Sequence, residues 1–433
     1  MGTMSAERPL GALHLAAIAV GAIVGVGIFF TPATVAHAVP TPGWVLGIWV
    51  LGGIASMAGA LVFADLGVRW PRAGGLYVFL REGFGGRVGQ ALSFLYGWLQ
   101  LVVVQPGAMA VIAVVLVGHV AYLVGPISPV VKGAGACGAI ALFTAANLIG
   151  LRTGGRIQVA MAALKMGALA LVIFVGLRWG QAHLVMARPE VSTATGGWSS
   201  WVLFGLIPVL FTFGGAYHVT FVGGAVRDPE RSIPRGVVGG IGAVLVGYLG
   251  ANVAYLALLG QSRLAESPSP AADAIAVALG HDAGKVIAAV IIVSAAGILN
   301  TVCLGFPFVV YAMARDGVFF SFAGRLNERT GRPSLAVALQ GTLACVAVIV
   351  GSGRVDVLLT GIAFADATFQ AAIAIVHMRS RLSRYAPPVA TWIFLVIELG
   401  VAVGCLVRAP AQSAYGAIVL AVGAVAWLVW KRA

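Results

Sequence analysis

The strongest constraint on this chain is a set of twelve apolar runs separated by short gaps. They fall at roughly 11–37, 44–68, 91–124, 130–150, 157–177, 201–224, 234–259, 285–313, 334–352, 356–377, 389–407 and 412–430. A helix needs about 20 mostly apolar residues to cross the hydrocarbon core of a bilayer. Pro, Gly and charged residues fill the gaps, where helix breakers and interfacial charges belong. Only 9% of the 433 residues are charged, whereas soluble domains carry about 25%. So few charges cannot cover a water-facing surface, and the exposed surface must face lipid. Twelve spans use up the length, leaving one integral domain and no room for a separate soluble enzyme.

The formal net charge of +13 would suggest nucleic acid in a soluble protein. Here the positions of the charges argue otherwise, and no nucleic-acid partner is expected. If both termini are cytoplasmic, 19 of the 27 Lys and Arg residues fall on the cytoplasmic side and seven on the other; Lys165 remains, inside a span. Such an imbalance is a positive-inside signal. It predicts a multi-pass protein of the cell membrane with both termini inside. No cleavage-site pattern follows the first apolar run, so that span is expected to stay in the mature protein. Cys137, Cys303, Cys345 and Cys405 each lie in an apolar run without CxxC or CxxH spacing, and they read as small buried residues. No metal or cofactor is expected. Of the two longest non-cytoplasmic loops, 178–200 and 260–284, the second carries a short helical pattern over 271–279.

Segment 1 reads Gly21-Ala22-Ile23-Val24-Gly25-Val26-Gly27-Ile28-Phe29, with three glycines mid-membrane. Segment 6 reads Phe211-Thr212-Phe213-Gly214-Gly215-Ala216. These begin two successive blocks of five segments, and glycine-interrupted segments at matching positions of two halves point to a transporter site. Glycine destabilises a helix by about 1 kcal/mol relative to alanine. A break there frees backbone groups that a polar substrate can satisfy. Half-helix N-termini favour a carboxylate, and freed carbonyls favour an ammonium. Together they read a zwitterionic amino acid. The alternative is close helix packing through small residues, since Gly21 and Gly25 form a GxxxG. A dinucleotide fingerprint fails because Phe30 stands where its third glycine would be.

Four motifs in register carry a family resemblance. Segment 1 matches a GxIxGxGIF pattern. Phe63-Ala64-Asp65-Leu66-Gly67 through Pro71-Arg72-Ala73-Gly74-Gly75-Leu76-Tyr77 matches a signature between helices 2 and 3. Arg227-Asp228-Pro229-Glu230-Arg231-Ser232-Ile233-Pro234 matches one after helix 6, and Ala314-Arg315-Asp316-Gly317 matches one closing helix 8. With these, from about residue 11 to 335, the chain resembles the amino acid–polyamine–organocation superfamily, most closely its L-amino acid transporter group. The resemblance implies an all-α membrane protein of about twelve transmembrane helices with the leucine-transporter-type fold. That fold has two inverted five-helix repeats (about 10–178 and 199–378), two peripheral helices (about 388–430), and broken helices 1 and 6. It implies alternating access around a midplane site. Ile23, Gly25, Val26 and Gly27 would meet the substrate, with backbone amides of residues 25–27 on its carboxylate. Phe211, Thr212, Phe213 and Gly214 would line the helix-6 break, with carbonyls toward the ammonium and Phe211 as an aromatic gate. Lys165 would fill the space that sodium occupies in sodium-coupled relatives.

This chain departs from the pattern at several places. Val26 stands where the family usually has a small polar residue, Ala225 where an acid usually precedes the post-helix-6 signature, and Leu304-Gly305-Phe306-Pro307-Phe308 where helix 8 is usually polar. Relatives in animals pair with a glycoprotein through a cysteine in the helix 3–4 loop. The loop here, about 125–130, has none, so no covalent heavy-chain partner is expected.

Other polar residues within spans are read singly. Asp366 in segment 10 is a candidate for coupling or substrate contact, and His218, just past the helix-6 break, is a second. Asp65 reads as structurally paired with loop arginines, and Glu398 as structural or at an oligomer contact. His37, His119 and His377 lie near segment ends, where interfacial water accounts for them. Asn300 either bonds across helices or lines a cavity. Gln105 precedes Pro106, which removes an N–H and kinks segment 3, at the cavity wall or as a packing kink.

The chain carries no HExxH and no convincing catalytic pair, which argues against an intramembrane enzyme. The polar stripes of a channel are missing. The function expected is sodium-independent transport of neutral L-amino acids, by exchange or proton symport. A permease for cationic amino acids or polyamines is the runner-up, since such a substrate wants a cavity acid and Asp366 alone is a candidate.

Overall fold

In the computed structural model, the residues described are 9–25, 27–125, 127–149, 151–182, 197–267, 269–280, 282–350, 355–408 and 410–430. They form helices and contain no strand, only two isolated bridges. In chain order the helices are α1 (Ala12–Ile23), α2 (Gly27–Ala38), α3 (Pro42–Arg69), α4 (Leu76–Phe84), α5 (Gly86–Leu99) and α6 (Gln105–Val124). Next come α7 (Pro129–Ile149), α8 (Leu151–Trp179), α9 (Trp198–Phe213), α10 (His218–Phe221), α11 (Pro229–Glu266) and α12 (Pro270–Leu279). The last are α13 (Ala283–Gly305), α14 (Pro307–Arg315), α15 (Ser334–Val350), α16 (Val355–Ser380), α17 (Pro388–Arg408) and α18 (Pro410–Trp430). Among the described residues, eight helical stretches are long and apolar enough to cross a membrane, and the bent pair α1–α2 makes a ninth. With α15, α16 and α18 they follow the twelve runs of the sequence in order. The chain is thus an all-helical, multi-pass membrane protein. The surface pattern at 271–279 is the short helix α12.

Prolines shape three of these passages. Pro106 lacks an N–H, and the turn before it, Gln100–Val104, widens into a π-helix between α5 and α6. Pro307 takes a donor from the carbonyl of Cys303, four residues earlier, at the junction of α13 and α14. That carbonyl accepts from Arg332 Nη2 at 2.7 Å instead. The same guanidinium donates to the carbonyls of Leu304 at 2.9 Å and Asn147 at 3.0 Å, and Phe308 stacks against it at 5.6 Å. Arg332 is fully buried. Burial pushes its pKa down to about 10, which leaves it charged at neutral pH. Sequence alone counts Arg332 as one more topology charge; the structure makes it the clasp over two helix C-termini, where a five-donor fork fits orphan carbonyls. Asn300 accepts from Asn147 at 2.9 Å in the same cluster, so its role is a cross-helix bond.

The end of the molecule that carries the N-terminus is sealed by main chain. Leu10 bridges Val226, with Leu10 N–H donating to Ala225 at 3.2 Å and Arg227 N–H to Leu10 at 2.8 Å. Ala73 bridges Val222. Around this seal Arg81 pairs with Asp316, which also accepts from the Tyr77 hydroxyl at 2.9 Å. Burial raises the Tyr77 phenol to about 12, so it remains the donor. Asp65 does not pair with loop arginines as expected. It accepts from the backbone of Tyr385 at 3.0 Å and Ala386 at 2.9 Å, and meets His377 Nε2 at 3.0 Å. His377 is 2% exposed and its Nδ1 meets Thr391 at 3.0 Å. Interfacial water therefore does not account for it: the residue is packed between α3, α16 and α17.

Replacing Arg332 tests the clasp. Each buried carbonyl left without a donor costs about 1–3 kcal/mol, so Arg332→Ala is expected to lower the unfolding temperature of detergent-solubilised protein markedly. Arg332→Lys, a single point donor, is expected to restore only part of it, as read by thermal-shift size-exclusion chromatography.

Candidate functional site

The first passage breaks where the glycines are. α1 ends at Ile23, α2 begins at Gly27, and the two axes differ by 48°. The ninth helix ends at Phe213, and Gly215 adopts a φ of 97°, a left-handed turn that favours glycine. The two breaks touch. A Cβ on Gly27 would lie 2.9 Å from the Thr212 side chain, and one on Gly215 would lie 3.1 Å from Ala22. Gly25 is similarly pressed by Ile298. Thr212 donates to the Pro208 carbonyl at 2.8 Å, leaving Thr31 to donate to the Thr212 hydroxyl at 2.8 Å.

The carbonyls freed at the end of α1 are met by side chains from three other passages. Val20 keeps a main-chain donor, Val24 N–H, at 2.7 Å. Gly21 accepts from Lys165 Nζ at 3.0 Å, Ile23 from the Tyr248 hydroxyl at 2.8 Å, and Val24 from Ser294 at 3.4 Å. Lys165 is 2% exposed and sits behind the break, outside the cavity wall. Among the described residues no carboxylate pairs with it. Space for its stem depends on Gly297, where a Cβ would lie 2.6 Å from Lys165 Cε.

Between the breaks lies a cavity of about 590 Å³, walled by α2, α3, α6, α9, α13, α16 and α17. Phe30, Val111 and Ile207 line it on one side of the breaks, and Phe63, Gln370 and Phe394 on the other. Ile23, Gly25, Gly27, Gln105, Phe211, Thr212, Gly214, His218 and Asp366 all line it, so the structure brings these sequence candidates together. Phe211 is 45% exposed and faces this space. Val26 lies outside the described residues. Phe213 also lines the cavity, with its ring buried against Trp49 at 6.0 Å and Tyr248 at 5.0 Å.

The polar wall is richer than sequence reasoning allowed. Gln105 donates to Gln100 at 2.7 Å, and Gln100 donates to Asp366 at 3.1 Å. Asp366 also accepts from the Tyr217 hydroxyl at 3.3 Å and from Gln370 at 3.4 Å. Glu398 lines the same cavity rather than an oligomer surface, and α17, read as peripheral, supplies Phe394 and Val401 to the wall beside it. Two spacings in the sequence hint at this: Gln100 stands five residues before Gln105, and Gln370 lies one helical turn after Asp366. Nothing in the sequence singled out Tyr248, Ser294 or Tyr217.

Chemically the site is two-ended. The first N–H groups of α2 have no partner within the helix and carry partial positive charge. The C-terminus of α9 carries the opposite sign. A cavity between them suits a small zwitterion. The family comparison agrees with this chemistry: residues 10–429 match the model described as amino acid permease. The chain belongs to the amino acid permease family. It is 29% identical to the serine/threonine exchanger SteT of Bacillus subtilis, over 90% of this chain and 88% of that one. It is 27% identical to the b(0,+)-type amino acid transporter 1 of Mus musculus, over 94% and 83%. The Asc-type amino acid transporter 1 of Mus musculus is 29% identical, over 80% and 65%. This permease is thus a relative of amino acid transporters, in the L-amino acid transporter group of the superfamily. Family and relatives are transporters, not enzymes.

Gly297→Val tests the Lys165 contact without touching lysine. A branched side chain in the space that Lys165 Cε and Nζ occupy must displace the ammonium from Gly21. Uptake in proteoliposomes is expected to fall by about tenfold or more, the scale set by losing one charge-assisted hydrogen bond, and Lys165→Ala is expected to match it. Full uptake by either folded variant would separate Lys165 from function.

Proposed function

We propose that this permease moves amino acids across the cell membrane by sodium-independent alternating access, as an exchanger or proton-coupled symporter. The observation that carries the reading is the pairing of two helix breaks across one cavity, with the Lys165 ammonium bound to the carbonyl of Gly21. The α2 N-terminus holds the substrate carboxylate through backbone amides of residues 25–27, and the α9 C-terminus faces its ammonium. Phe211 closes over it. Lys165 supplies the positive charge that a sodium ion supplies in coupled transporters, at the carbonyl rim of the break. His218 and Asp366 remain candidates for proton coupling.

Two inverted repeats at about 10–178 and 199–378 are part of this reading, supported by the matching positions of the breaks. Both termini lie in the cytoplasm, supported by the 19-to-7 distribution of Lys and Arg. The main-chain seal is then the inner gate. No covalent partner subunit is involved, for want of a cysteine in loop 125–130.

Neutral L-amino acids are the first substrate reading, drawn from an apolar cavity and from the serine/threonine exchanger among the relatives. A cationic amino acid is the second, favoured by Glu398 joining Asp366 on the wall. A polyamine has no carboxylate for α2 and fits less well.

Purified protein in liposomes decides these points. Uptake of labelled amino acids is expected to be unchanged when choline replaces sodium. Stimulation by internal amino acid marks exchange; dependence on a pH gradient marks symport. No uptake by correctly inserted protein under any of these conditions refutes the transport reading.

A further inference from the structure

Two of the four cysteines meet where α7 crosses α15. Gly341 allows the close approach: a Cβ there would press into the Thr144 side chain. Near that point Cys137 Sγ approaches the Cys345 carbonyl at 4.0 Å, and Cys345 Sγ approaches the Cys137 carbonyl at 3.9 Å. The contacts Cys137–Cys345 and Thr144–Gly341 run in opposite order along the two helices, which therefore pack antiparallel. Because the cysteine contact is reciprocal, each sulfur lies over the other residue's main chain, and the two thiols are within hydrogen-bonding reach of one another. They stand 208 positions apart in the chain, and no spacing in the sequence announces the pair.

Exposure sets this pair apart from the other two cysteines. Cys303 and Cys405 are each 2% exposed. Cys137 and Cys345 are only half-buried, at the rim of the apolar cluster around Met109, Ile140 and Val348. Their neighbours Gly138, Val346 and Ile349 are exposed, so on two membrane passages the sulfurs lie beside lipid. On the orientation proposed above they sit in the outer half of the bilayer. Cys137 comes eight residues after Pro129, the first of α7, and Cys345 five before Val350, the last of α15, which puts both about 8–12 Å from the helix ends. Disulfides persist on that side of a cell membrane. A fully buried structural cysteine is inert, whereas a half-buried pair beside lipid can be reached by an oxidant dissolved in the membrane.

We propose that Cys137 and Cys345 are a redox-active thiol pair, which an organic hydroperoxide, such as that of an oxidised lipid, converts into a disulfide between α7 and α15. One sulfur attacks the terminal oxygen of the hydroperoxide. The O–O bond breaks, the thiol proton goes to the leaving alkoxide, and an alcohol departs from a sulfenic acid. The second sulfur then attacks the first. The S–S bond forms, the S–O bond breaks, and the oxygen leaves as water with the second thiol's proton. Each sulfur is oxidised by one electron and the peroxide is reduced by two. Neither helix carries a break, but both pack on α6, which walls the cavity. The bond would therefore staple the support behind that wall and leave the cavity itself untouched. The inference uses the orientation read above and is independent of the substrate.

The test treats the full chain in liposomes with cumene hydroperoxide, then denatures it and alkylates it with N-ethylmaleimide. The intact mass is expected to show two alkylated thiols in place of the four present before oxidation, with all four recovered after dithiothreitol. Peptide mapping without reductant is expected to join the segment holding Cys137 to the one holding Cys345. In Cys345→Ser the crosslink is expected to vanish, leaving a sulfenic acid at Cys137 that dimedone captures. Four alkylated thiols after oxidation overturn the proposal. So does a disulfide that maps to Cys303 or Cys405, or oxidation of either thiol without a crosslink. The wild-type measurement depends on no variant folding, and because no readout is uptake, its failure leaves the transport reading standing.

Discussion

A helix interrupted inside a bilayer strands carbonyls where no water can reach them, and everything else here depends on how those at the end of α1 are met. Hydrocarbon penalises each unpaired polar group by several kcal/mol. The protein answers with Lys165 from α8, Tyr248 from α11 and Ser294 from α13, one donor for each of three carbonyls. Because the donors come from three separate passages, the position of α1 is fixed relative to all of them at once. The breaks can then face each other closely enough for Gly27 to touch Thr212 and Gly215 to touch Ala22, and the cavity opens beside that contact. Arg332 solves the same problem at the junction of α13 and α14, where Pro307 removes a donor.

On the proposed function, this arrangement separates main-chain recognition from side-chain recognition. The breaks present helix termini, which read charge and direction but little about a side chain. Asp366, Glu398 and Gln370 lie farther along the wall on α16 and α17. A permease built this way can keep its grip on the common part of an amino acid while the far wall changes.

The spans, the breaks and most of the cavity residues were legible in the sequence because they depend on local chemistry. Apolar run length fixes a span, and Gly25, Gly27 and Gly214 mark a break wherever the rest of the chain lies. Lys165 was legible as well, since a lone cation inside a span must have a reason. Partner identity was not legible. Asp65 meets His377 across 312 positions of chain, and Arg332 meets Asn147 across 185; no periodicity encodes such meetings. Glu398 failed for a different reason. The span around it is apolar on every side, so no hydrophobic stripe tells which face turns inward, and an acid there looks the same whether it faces lipid, a neighbour or a cavity. Phe211 and Phe213, two residues apart, look alike in the sequence, and only packing shows that the ring of Phe211 turns to the cavity while that of Phe213 turns to Trp49.

The bridge between Leu10 and Val226 is made of backbone groups alone. Ala225 serves it through its carbonyl, so the side chain at that position does not enter the contact. What must be kept there is the shape of the main chain: Gly223 leaves no room for a Cβ against the backbone of Arg72, and the substitution most poorly tolerated at Arg227 is the one that removes its N–H.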